Sequence, residues 1–136
     1  MKDIFEAATR FRDAIEKCHK TLGNGFDDFP SYACGVTSTF LGTYLKEKGL
    51  GIFDSYVADV PGGNHAWLQK GDLIVDITAD QFDHIKDPVI VSINSPWHLS
   101  LNAENQGNAD FREVSLSQSE DEDVYRKICA VIEQRT

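Results

Sequence analysis

No stretch of this 136-residue chain approaches the roughly 20 consecutive apolar residues that a bilayer-spanning helix needs. Basic charge is also short: 13 Lys and Arg stand against 22 Asp and Glu, a net charge of −9. So acidic a surface repels phosphate backbones and anionic lipid, so neither nucleic acid nor membrane is expected as a partner. Cysteine is sparse and odd in number, and Cys18, Cys34 and Cys129 do not suit a disulfide framework. The opening MKDIFEAATRFRDAIEK has no apolar run fit for a signal peptide, and neither end carries a lipidation motif. The expectation is a soluble cytoplasmic protein with reduced thiols. C-x₂-C, H-x₃-H and H-E-x-x-H are all missing, so no metal is expected, although Cys34, His65, Asp76, Asp83, His84 and His98 are of the right ligand types. Phosphate-loop and dinucleotide motifs are absent, and Gly23-Asn24-Gly25 follows a helix rather than a strand, so no cofactor is expected. There is no internal repeat and no low-complexity tract.

What remains is an ordinary globular composition, 41% apolar and 26% charged, which argues against disorder. The length fits one domain over residues 1–136, large enough to bury a core without metal or disulfide support. Residues 3–22 place Ile4, Ala8, Phe11, Ile15, Cys18 and Leu22 at spacings of three and four, an amphipathic helix stopped by Gly23. A turn over 26–31 leads into a second helix from Tyr32 to Lys48, with Ser31 as N-cap and Gly49 as stop. After Gly51 the period changes. Residues 52–60, 64–69, 73–78 and 89–93 read as strands, the middle two joined at Lys70-Gly71-Asp72 as an antiparallel hairpin. Residues 94–110 are polar and without period, 111–116 read as a short edge strand, and Ser119 to Glu122 has capping-box spacing ahead of a last helix. The expected fold class is α+β: N-terminal helices on an antiparallel sheet, then a C-terminal helix.

Three residues stand out together: Cys34, His65 and Asp76. Cys34 sits near the start of a helix, where unpaired N–H groups and the helix dipole favour a thiolate, and Gly35 beside it leaves room for a substrate backbone. Taken alone it reads equally as a buried structural thiol. His65, after the flexible Gly62-Gly63, can point from a strand toward a cleft and accept a proton near neutral pH, or it is a surface histidine. Asp76 lies in the apolar run LIVDIT, where a carboxylate needs donors. Mirror pairing about Gly71 brings it near His65, so an imidazole N–H can donate to it. That is the orienting role in a nucleophile–base–acid triad; the alternative is an acid capping local backbone.

The pattern Ala33-Cys34-Gly35 with Leu41 and Leu45 behind, then His65-Ala66-Trp67, then Asp76-Ile77-Thr78, resembles the transglutaminase-like branch of the papain-like cysteine hydrolase superfamily. The resemblance covers about residues 30–82. It implies one papain-like domain. It also implies a thiolate Cys34 that attacks an acyl or amide carbon, with His65 as base and then acid and Asp76 orienting it. The substrate would be a protein, a peptide or a small amide or acyl compound. The shortness of the chain favours a minimal hydrolase or deamidase over a crosslinking enzyme, and inactive relatives make a non-catalytic binding module the competing expectation. The Cys34 N–H is a ready oxyanion donor. Candidates for a second donor or a substrate contact are Trp67, Gln81, Asn24 and Trp97. Trp67 alternates with His65 and should share its face of the strand. The oligomeric state is not legible.

Overall fold

The computed structural model of the chain describes all residues except 24, 25, 32, 135 and 136. Helix α1, Lys2–Cys18, buries Ala7, Ala8, Phe11, Ala14 and Ile15 along one stripe and ends in a 3₁₀ turn, His19–Thr21. Helix α2, Cys34–Glu47, is buried from Thr37 to Leu45 apart from Thr39. It stops at Gly49, whose φ of +73° suits glycine, and the Leu50 N–H returns to the Leu45 carbonyl at 2.9 Å. Five strands follow: β1 Asp54–Val60, β2 Gly63–Lys70, β3 Leu73–Asp76, β4 Ile90–Ile93 and β5 Glu104–Asn108. They form one antiparallel sheet in the order β4-β3-β2-β1-β5. Short helices α3, Pro96–Ser100, and α4, Phe111–Val114, precede the long α5, Gln118–Gln134. This is the α+β class expected. Among the described residues no helix is long and apolar enough to cross a membrane.

Alternation along the strands divides the sheet's side chains between two clusters. Leu68 and Val75 join Phe11, Phe40, Tyr44, Phe111 and Ile128 in the main core, beneath α1, α2 and α5. Trp67 and Ile74, their neighbours in sequence, belong to a second cluster with Ala58, packed against by Leu101 and Ala103. Helix α2 seats closely because residue 42 is glycine: a Cβ there would lie 2.3 Å from the Ala109 carbonyl oxygen.

Several expected boundaries move. The second helix begins at Cys34 rather than residue 32, and its N-cap is Ala33, not Ser31. Residues 111–116 do not form a strand. Asp110 caps α4 there, its carboxylate taking the Arg112 N–H at 3.0 Å and the Thr43 hydroxyl at 2.8 Å, a tertiary partner that local reading cannot supply. The stretch 94–110 is not one loop. It holds α3 and β5, and β5 (ENQGN) shows no apolar alternation because it is an exposed edge strand. Helix α5 starts before Ser119, so that serine lies inside it. The cap region is instead organised by Ser115, whose Oγ donates to Asp121 and accepts from the Ser117 N–H.

Candidate active site

Cys34 is the first residue of α2, and among the described residues no side chain caps that helix. The first intrahelical bond there runs from the Thr37 N–H to the Ala33 carbonyl, so the amides ahead of Thr37 have no helical partner. The sulfur lines a surface cleft of about 650 Å³ with Gly35, Val36, the β1–β2 turn, Asn64, Gln81 and Phe82. A Cβ on Gly35 would meet nothing within 4 Å, so the wall beside the sulfur stays open.

His65 is not on the surface. It is fully buried behind the cleft. Its ring sits among Trp67, Phe82 and Trp97, with centroids 5.1 to 5.7 Å away. The Nε2 edge meets Asp76 Oδ2 at 2.7 Å, and the Nδ1 edge faces Gln81 Nε2 at 3.3 Å. Asp76 comes within reach because β2 and β3 pair with Leu68 opposite Val75, which carries the hairpin register toward His65. Its Oδ1 accepts from the Thr78 N–H at 2.9 Å and faces the Thr78 hydroxyl at 3.4 Å.

The electrostatics follow from this contact order. Burial disfavours the Cys34 thiolate, but hydrogen bonds from His65 and the Ala66 backbone, with the His65 charge, outweigh it, and the thiol's pKa falls. Burial likewise disfavours a charged His65, yet the Asp76 and Cys34 hydrogen bonds and charges push it up to about 9. Burial opposes the Asp76 carboxylate too, but donation from two imidazoles holds its pKa well below the ordinary range. Both shifts favour the thiolate–imidazolium form of the pair over the neutral one. Burial raises the other two thiols, Cys18 and Cys129.

The second imidazole was not foreseen in this role. His98 of α3 places its Nε2 2.7 Å from the same Asp76 Oδ2, and its Nδ1 2.7 Å from Ser95 Oγ. The sequence does hold a signal: Pro96 suits the first turn of a helix, and Ser95 and His98 stand three apart. Among the described residues, His65, Asp76 and His98 are the one group whose ligand-type atoms lie within 4.8 Å of one another. Their 2.7 Å separations are hydrogen-bond lengths, and both imidazoles are buried with the carboxylate, so the three satisfy one another without an ion.

Of the candidate oxyanion donors, Gln81 is at the site, in the turn that follows β3. Trp67 shares the His65 side of β2 as expected, but its indole N–H donates to Gln69 Oε1 at 3.1 Å and it is buried away from the cleft. Trp97 packs on the His65 ring, outside the lining of the cleft that holds the sulfur. Asn24 lies outside the described residues.

Comparison with known proteins returns nothing: no protein-family model, no curated protein and no solved structure matches the chain. Fold class and site geometry therefore carry the functional reading alone.

Proposed function

We propose that this protein performs cysteine-dependent acyl or amide chemistry on a minimal papain-like, transglutaminase-like scaffold. The single observation that supports it most is the buried His65 ring held at 2.7 Å to a fully hydrogen-bonded Asp76, behind a Cys34 thiol whose pKa His65 lowers. In the reaction this supports, the Cys34 thiolate adds to an acyl carbon and a C–S bond forms. The oxyanion takes hydrogen bonds from the Cys34 N–H and from the one Gln81 amide hydrogen that is not given to the Thr78 carbonyl at 3.0 Å. The His65 imidazolium passes its Nδ1 proton to the leaving amine or alkoxide, the scissile bond breaks, and a thioester remains. Water or an amine then adds, gives its proton to Nδ1, and expels the thiolate. Asp76 keeps Nε2–H pointed away from the sulfur and stabilises the imidazolium throughout. The substrate is a protein, a peptide or a small amide or acyl compound.

The test is acylation by p-nitrophenyl acetate with mass detection of the intact chain. A burst of nitrophenol, with one acetyl group lost on mild hydroxylamine treatment, is expected for wild type and absent in Cys34→Ser and His65→Ala. A folded wild type that gives no burst, with all three thiols equally slow toward iodoacetamide at pH 6, would leave the non-catalytic binding module as the correct reading.

A further inference from the structure

His98 takes no part in the steps above, yet it is 2% exposed and hydrogen-bonded at both ring nitrogens. We propose that His98 is a positioning residue: as the second donor to Asp76 Oδ2 it sets how strongly that carboxylate holds the His65 proton. This rests on the Cys34–His65–Asp76 reading. The geometry fixes the direction of each bond. Ionised Asp76 only accepts, so His98 turns an Nε2–H to it, and in the neutral ring Nδ1 then accepts from Ser95 Oγ–H. Thr78 occupies Oδ1. The two imidazoles therefore compete for one oxygen, each at 2.7 Å. A carboxylate shared between two donors has its charge better stabilised and pulls less on either proton. In this arrangement His98 tempers the base, so that His65 holds its proton at neutral pH and still releases it to a leaving group.

The titratable side chains facing His65 are Cys34 from α2, Asp76 from β3 and His98 from α3; exposed His84 packs on Trp97, which stands beside the ring. Of these only His98 can be changed without touching the proposed reacting groups or the carboxylate itself.

The experiment is an NMR titration of the His65 ring in the full chain, its signal assigned by loss in His65→Ala, with iodoacetamide rate against pH run in parallel. In His98→Leu the carboxylate loses its second donor and its hold on the His65 proton tightens. The His65 midpoint is expected to rise by about half to one pH unit, and the alkaline end of the ion-pair window to rise with it. His98→Gln retains an amide donor and restores the wild-type midpoint. Ser95→Ala frees the ring tautomer and gives a smaller rise. A folded His98→Leu with an unchanged or lowered midpoint overturns the proposal, as does failure of glutamine to restore it. If His98→Leu does not fold, a Ser95→Ala midpoint equal to wild type overturns it. Failure of the underlying triad looks different: wild-type His65 then titrates near 6.5, and His65→Ala leaves Cys34 alkylation unchanged.

Discussion

Replacing Asp76 by asparagine probes the site where its geometry is least forgiving. The carboxylate faces four donors: the Nε2–H groups of His65 and His98 on one oxygen, and the Thr78 N–H and hydroxyl on the other. An amide offers one acceptor oxygen and one donor nitrogen. Whichever way it turns, its NH₂ meets either the two imidazole N–H groups or the Thr78 N–H, and the charge that stabilised the imidazolium is gone. Breaking a buried ion pair at one partner costs about 3–5 kcal/mol. The rise of His65 from 6.5 to about 9 corresponds to about 3 kcal/mol of net stabilisation of the imidazolium, shared between Asp76 and Cys34. With a urea slope of about 1–3 kcal/mol per molar, the unfolding midpoint of Asp76→Asn should fall by about 2 M.

The sign with pH is definite. Because the folded pKa of His65 is raised, its stabilisation is fully present below about 6.5 and is lost as pH rises through about 9. Asp76, whose pKa is depressed, contributes above its ordinary value of 3.8, and that contribution is lost as pH falls through its folded value. The His65 contribution should therefore decline between pH 6.5 and 9, opposed in wild type by the Cys34 thiol, whose depressed pKa makes its own contribution grow as pH rises toward its unfolded value, and Asp76→Asn should lack the His65 decline.

Reactivity follows the same logic. Without the carboxylate, only Cys34 is left to oppose burial at His65, and the imidazolium is less favoured. An unassisted thiol of pKa near 8.5 is ionised to about one part in 300 at pH 6. The more basic thiolate is intrinsically the better nucleophile, which returns about a factor of ten. Iodoacetamide alkylation of Cys34 at pH 6 should fall, by up to about 30-fold. A variant that unfolds at the wild-type urea concentration and alkylates at the wild-type rate would refute the coupling.

Three further perturbations separate packing from chemistry. Arg12, 5% exposed, grips both Asp80 carboxylate oxygens at 2.7 and 2.9 Å and the Ile77 carbonyl at 2.7 Å, fastening α1 to the turn that carries Gln81; Arg12→Ala should cost about 3–5 kcal/mol in urea unfolding, and a loss under about 1 kcal/mol would show the clamp to be idle. Gly42→Ala should destabilise by about 1–3 kcal/mol as α2 is pushed off Ala109, and an unchanged melting temperature would mean that the close approach is not maintained in solution. Gln81→Ala should slow acetylation by p-nitrophenyl acetate by about 10²–10³-fold while leaving iodoacetamide alkylation of Cys34 near wild type, because only acyl transfer builds an oxyanion; equal slowing of both reactions would assign Gln81 to the ion pair instead.

Local pattern alone was enough for the elements whose faces differ in polarity. The stripe of Ala8, Phe11 and Ile15 needs only its period to be read, because burial on one side leaves its mark at every third or fourth residue, and the continuous apolar run around Ile74 and Val75 marks a strand buried on both faces. Asp76 was legible for a related reason, because an acid among aliphatic residues is costly unless donors meet it, and Cys34 because a helix start favours a thiolate. Tertiary structure alone decided the rest. Strand β5 and helix α4 exist because β1 and Thr43 supply partners from elsewhere in the chain. His98 reaches Asp76 because α3 brings a segment 22 residues away back against β3. Which donor takes which oxygen depends on ångström-scale separations between segments, and a linear sequence encodes those only through the fold it forms.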